Sequence, residues 1–129
     1  MGLPRHQLKS YDRDELEESI LCRFRDMLIL RDWGVFRTHG NMFQSGWPDL
    51  YIAHYKHGVR WVEMKRPTGY KFTPAQHKMF PELKAKGVGV WIIWSADETS
   101  YNSLFGPDNF TWAFAGHLIY NTPKVGTVL

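Results

Sequence analysis

Asp49, Glu63 and Lys65 are the residues of this sequence whose types and spacing can do chemistry together. A strand over 59–65 puts Val59, Trp61, Glu63 and Lys65 on one face and Arg60, Val62 and Met64 on the other. Asp49 opens the preceding strand, fourteen residues upstream of Glu63. A short turn between the two strands folds Asp49 back beside Glu63 at the hairpin's open end. Two carboxylates that close resist joint ionisation unless a cation lies between them. Hard oxygen ligands with no His or Cys nearby favour Mg2+ or Mn2+ over zinc. An adjacent lysine can orient or help deprotonate the attacking water and stabilise a developing phosphate oxyanion. Asp, Glu and Lys at one strand end therefore spell metal-assisted phosphodiester hydrolysis. A hairpin with a surface Glu–Lys pair is the competing reading.

Two further polar residues bear on that choice. Leu16, Ile20, Leu21, Phe24, Met27 and Leu28 recur at helical spacing and make one apolar stripe. With Ile20 at zero and 100° per residue, Glu17 falls near 60°, inside the stripe, and Glu18 near 160°, at its edge. A carboxylate on a core face is costly unless it is paired or faces a cation. Glu17 is thus a candidate site carboxylate, with escape to solvent in the first turn as the alternative and Glu18 in reserve. Gln76 stands where a capping box needs it, and the same helix start can face a phosphate.

The elements that position these residues follow from local signals. Residues 1–11 lack periodicity and read as a mobile arm. The helix carrying Glu17 starts near Asp12 or Asp14 as N-cap and is closed by Gly34. A short strand covers 35–39, and a loop covers 40–48. Strands over 50–55 and 59–65 flank a turn at Gly58. A basic loop over 66–72 leads to Thr73-Pro74-Ala75-Gln76, which caps a second helix running toward Gly87. Pro81 should bend or interrupt that helix. The run 88–94 reads as a buried strand, and the apolar pieces 110–115 and 118–120 as extra strands. The order helix, strand, hairpin, helix, strand predicts an α/β fold around a mixed central sheet.

The composition is consistent with one domain and carries no function of its own. The chain has 129 residues, 43% of them hydrophobic and 22% charged, which excludes intrinsic disorder. A net charge of +3 is too mild to name nucleic acid as partner. A single cysteine, Cys22, excludes an internal disulfide. The first residues hold no apolar stretch and the longest apolar run is too short for a membrane helix, so a cytoplasmic location is expected. Six Trp and 16% aromatics exceed what a small core needs. Trp61 and Trp91 fit the sheet core, whereas Trp94 and Trp112 suggest an apolar surface suited to a dimer interface.

Gly46-Trp47-Pro48-Asp49-Leu50, Trp61-Val62-Glu63-Met64-Lys65 and Phe72-Thr73-Pro74-Ala75-Gln76 together resemble the PD-(D/E)XK nuclease superfamily. More narrowly they are similar to its VRR-NUC branch, over roughly residues 12–95 of a single domain spanning 1–129. The resemblance implies a restriction-endonuclease-like core and an extension, 96–129, whose role the family does not supply. It implies Asp49 and Glu63 as metal ligands with the Met64 carbonyl as a third, and Lys65 as catalytic lysine. Gln76 would be a supporting residue and Glu17 the helix carboxylate. It further implies a Mg2+-dependent endonuclease in a bacterial or phage-infected cell, cutting DNA and selecting branched forms such as four-way junctions as a homodimer.

The substrate would meet phosphate contacts chosen from Arg66, Lys71, Arg37 and Lys78, with His39, Lys56, Arg60, Lys84 and Lys86 as further cations. Trp47 could stack on an unpaired base or simply cover the core. Two alternatives stand beside this reading: a non-catalytic nucleic-acid-binding module, and a nuclease of linear DNA or RNA. A zinc or His-Asn-His centre is disfavoured, since His54 and His57 lack a completing pair and His39-Gly40-Asn41 lacks a downstream partner.

Overall fold

The central hairpin forms because two alternating strands meet at a residue free to take positive φ. β2 (Leu50–His54) and β3 (Gly58–Met64) pair antiparallel, Leu50 opposite Val62 and His54 opposite Gly58. Gly58 closes the turn at φ 87°. β1 (Gly34–Arg37) adds antiparallel to β2, and β4 (Val90–Ile93) adds parallel to β3, giving the order β1-β2-β3-β4. The parallel step needs a crossover, supplied by α2 (Pro74–Ala85). The computed structural model describes residues 5–38, 46–111 and 113, with side chains from Glu17 onward. His39, most of the 40–48 loop, Trp112 and the expected strand at 118–120 lie outside the described residues.

Each sheet face has its own core. On one, α1 (Arg5–Leu30) lays Ile20, Leu21, Phe24 and Leu28 on Leu50, Ile52, Val62, Met64 and Ile93. On the other, Phe80 and Leu83 of α2 pack with Phe72, Val90 and Ile92. Burying each such side chain contributes roughly 1.5–3 kcal/mol, which holds the two helices to opposite faces. The α/β fold with a mixed sheet is as the pattern predicted. Leu104 joins the first core and Phe110 and Ala113 the second, so residues beyond 95 also seal the sheet. Among the described residues no helix is long and apolar enough to cross a membrane.

Several boundaries differ from expectation. α1 begins at Arg5, so Asp12 and Asp14 lie inside it and residues 5–11 are helical rather than a mobile arm. From Arg5 to Trp33 the sequence holds neither Pro nor Gly, so nothing halts propagation back from the buried part. Gly34 does not end α1. Asp32 does, at φ 70°: its N–H donates to the Ile29 carbonyl (3.1 Å), and Trp33 N–H donates to that of Leu28 (3.0 Å). This is a Schellman closure, with Trp33 packed in the Leu28 core. Asp tolerates the left-handed region better than most residues but less well than Gly. Asp32→Gly is therefore expected to stabilise the fold by about 0.5–1 kcal/mol. Thermal melts followed by circular dichroism check this, and an unchanged or lower midpoint would contradict it.

Pro81 neither ends nor interrupts α2, which continues to Ala85. Pro81 is exposed while Phe80 and Leu83 on either side of it are buried, so packing outweighs one lost helical hydrogen bond. A segment read as loop forms α3 (Glu98–Ser103), started by Asp97, whose side chain accepts from Ser100 N–H at 2.9 Å. Phe110, Thr111 and Ala113 are helical, not strand. A short apolar run does not by itself tell a buried strand from a buried helical turn.

Candidate active site

The antiparallel register carries Asp49, just before Leu50, to the level of Glu63, just after Val62. The two residues then hold each other. Asp49 N–H donates to Glu63 Oε1 at 3.1 Å, and Met64 N–H donates to Asp49 Oδ2 at 2.9 Å. Strand alternation puts Lys65 on the face of Glu63, and its Nζ lies 3.1 Å from Glu63 Oε2. Relative exposures of 3% for Glu63, 5% for Lys65 and 7% for Gln76 exclude a solvated surface pair. Groups this buried must satisfy one another.

Gln76 makes that possible. Its Nε2 donates to Glu63 Oε2 at 2.8 Å, while its Oε1 accepts from Lys65 Nζ and from Thr73 N–H, both at 3.0 Å. Its own N–H donates to Thr73 Oγ1 at 3.1 Å. The capping box of α2 and the support of Glu63 and Lys65 are thus one network. Helix formation delivers Gln76 to the site, and the site locks the helix start.

Electrostatics set the two carboxylates in conflict. Burial first, and then the Asp49 charge, push Glu63 up to about 8, against the opposing pull of Lys65 and Gln76. A divalent ion would remove that conflict. The donors fit one: two carboxylates side by side next to the Met64 backbone, all hard oxygen. Among the described residues no three His, Cys, Asp or Glu side chains cluster, so Glu17 does not complete a triad with Asp49 and Glu63. Its Oε2 instead accepts Arg66 N–H at 3.2 Å, one residue beyond Lys65. Glu18, the reserve candidate, is exposed and pairs with Arg37 at 3.1 and 3.2 Å.

The expected phosphate contacts are dispersed. Arg66 and exposed Lys71 lie on the loop that follows Lys65. Arg37 is held by Glu18, and Lys78 falls roughly 160° around α2 from buried Phe80, on the outer side of the helix. Lys56 is in the β2–β3 turn and Lys86 is the C-cap of α2, each at the opposite end of its element from the site residues. Two further cations are engaged within the fold. Arg60 Nε donates to the Leu104 carbonyl at 2.9 Å, with further bonds to His57 and Val59, which anchors the chain after α3. Lys84 is paired with Asp108 at 2.9 Å. Trp47 is partly buried against Trp61, ring centroids 5.1 Å apart. Trp94 packs on Tyr70 and the α2-face core.

Sequence reasoning missed two supports. Buried Thr38 receives nothing from local pattern, yet its N–H donates to the Asp49 carbonyl (3.0 Å) and its hydroxyl bonds the Pro48 and Asp49 carbonyls. Phe72 lies under Lys65, whose Nζ is 4.8 Å from the ring centroid, a cation–π contact. A capping threonine followed from sequence; its link to Lys65 needed the third dimension.

Gly46 brings the two halves of the site together. It has φ 99°, and a Cβ there would come within 2.8 Å of the Ala75 carbonyl oxygen in the first turn of α2. Gly46→Ala is expected to cost about 1–3 kcal/mol and to separate Asp49 from Gln76. A denaturant titration and a cleavage assay check this. Full stability together with full activity would refute the close approach.

No family model matches the sequence, and no curated protein does. A solved structure described as a VRR_NUC domain superposes with a TM-score of 0.59 at 19% identity, covering 70% of this chain and 96% of that one. With the mixed four-stranded sheet between α1 and α2 already in view, the chain has the fold of a VRR_NUC domain.

Proposed function

We propose that this protein is a divalent-metal-dependent endonuclease that hydrolyses DNA phosphodiesters and selects branched DNA. The observation that carries the reading is the Asp49–Glu63–Lys65–Gln76 network, in which Glu63, Lys65 and Gln76 are buried, the first two being ionisable groups whose desolvation costs a core more than apolar packing would. Asp49, Glu63 and the Met64 carbonyl would hold Mg2+, with Mn2+ as a substitute. When bound, such an ion supplies Lewis-acid polarisation of the phosphodiester and a more acidic water. Lys65 keeps a positive charge where negative charge builds on the phosphate, held in place by Gln76 Oε1 and the Phe72 ring. Glu17, through Arg66 N–H, fixes the chain just after Lys65 and acts as a positioning residue. Exposed Lys71 and the neighbouring Arg66 offer phosphate contacts beside the site. Paired cuts in a four-way junction would require a symmetric homodimer, which sedimentation analysis tests.

The test incubates the protein with four-way junction, flap, linear duplex and single strand, with Mg2+ and with chelator. Cleavage should need Mg2+, return with Mn2+ and favour a branched substrate. Asp49→Asn keeps an acceptor for Met64 N–H but loses a ligand charge. It should therefore fold and bind DNA while cleaving at least about 10³-fold more slowly. Wild-type rates from Asp49→Asn would overturn the site. Binding without metal-dependent cutting would assign a non-catalytic module instead.

A further inference from the structure

One row of aromatic side chains crosses the sheet beside the carboxylates. Phe36 of β1 is paired with Tyr51 of β2, and Tyr51 with Trp61 of β3, so one ring from each strand stands at the same level. Ring centroids are 6.3 Å apart for Phe36–Tyr51 and 4.9 Å for Tyr51–Trp61. Asp49 and Glu63 stand two residues further along β2 and β3, on the same face. That is about 7 Å from the row, comparable to the span from a base through its sugar to its phosphate. Lys65, Arg66 and Lys71 follow beyond the carboxylates. Along β3 the order is therefore ring, carboxylate, then cation.

These rings are not all absorbed by the core. Trp61 packs against the α2-face core, but neither Phe36 nor Tyr51 belongs to either buried core cluster, and Phe36 is 56% exposed. Interplanar angles of 42° and 57° along the row leave the rings tilted rather than stacked face to face on one another. The cross-strand contact with Tyr51 supports the sheet, yet it leaves more than half of the Phe36 side chain open to a ligand. Flat π-surfaces in register, next to groups that act on phosphates, suit successive unpaired bases. Resting on the nuclease reading above, we infer that Phe36 and Tyr51, with Trp61 as the inner ring, form a stacking platform for unpaired bases. The branched-DNA feature delivered to Asp49 and Glu63 is then a single-stranded arm, not a fully paired one.

The test measures fluorescence anisotropy of an oligo-dT single strand and of a blunt duplex of equal length, in chelator so that nothing is cut. Wild type should bind the single strand more tightly. Phe36→Ala and Phe36→Leu should each weaken single-strand binding about tenfold while leaving duplex binding unchanged, and Phe36→Tyr should retain it. Circular dichroism verifies that the variants are folded, as an exposed ring outside both cores leads one to expect. Tyr51→Ala should weaken single-strand binding to a similar degree. Wild-type single-strand affinity in Phe36→Ala, equal losses on both probes, or a wild-type preference for duplex would each overturn the platform. The two readings fail separately. If wild type cuts no DNA with Mg2+ while the Phe36 variants still lose single-strand binding, the nuclease reading falls and the platform stands. If wild type cuts and the Phe36 variants bind normally, the platform alone falls.

Discussion

Lys65→Met is expected to yield a folded protein that still binds DNA but cleaves it at least about 10³-fold more slowly. The lysine stem is buried, with Nζ set between Glu63 Oε2 at 3.1 Å and Gln76 Oε1 at 3.0 Å, above the Phe72 ring. Methionine refills most of the stem volume and leaves the Gln76 Nε2 bond to Glu63 intact, so the packing cost stays small. What disappears is a fixed positive charge in a site with little water to replace it. Two roles separate experimentally. If Lys65 only tuned Glu63 for cation binding, raising the Mg2+ concentration would restore the rate. If it stabilises charge on the phosphate, saturating Mg2+ leaves kcat low. We expect the second outcome, and rescue by Mg2+ alone would refute it.

The stability of the metal-free protein is expected to fall as pH rises from about 4.5 to about 8, and Mg2+ should offset the loss. Burial and Asp49 raise Glu63 from 4.5 to about 8 in the folded state. Between those values the folded state binds a proton that the unfolded chain has released, so unfolding becomes easier as pH increases. The full penalty, on the order of a few kcal/mol, is present above pH 8 and absent below 4.5. A cation between Asp49 and Glu63 favours the ionised form, so the Mg2+-induced rise in Tm should grow across the same window. Glu63→Gln removes the titrating group and should flatten both trends while abolishing cleavage. Melting curves at pH 5, 6.5 and 8 with and without Mg2+ check this; a Tm independent of pH in the metal-free wild type would contradict it.

Both results turn on residues visible in the sequence, but to different depths. The pairing of Asp49 with Glu63 was legible because period 2 and a short turn leave one register that buries Leu50, Ile52, Val62 and Met64 together. The Thr73–Gln76 cap was legible for a similar reason, since capping chemistry acts over three residues. Element ends were less so. Asp32 rather than Gly34 closes α1 because Trp33 must follow Leu28 into the core. Cations were least legible of all. Lys84, Arg60 and Arg37 look alike as letters, yet Asp108, the Leu104 carbonyl and Glu18 occupy them.

By itself, the sequence determined the order of elements as far as β4, the faces of the hairpin and the acids and lysine that share one of those faces. Those depend on backbone periodicity and on neighbours a few residues apart. Tertiary structure alone decided that Gln76 bridges Glu63 and Lys65, that Glu17 stops at Arg66 N–H, that Thr38 clasps Asp49, and that Phe36, Tyr51 and Trp61 fall into one row. Each of these joins residues ten or more positions apart. Such contacts depend on where a packed helix or strand comes to rest, and no local pattern encodes that position.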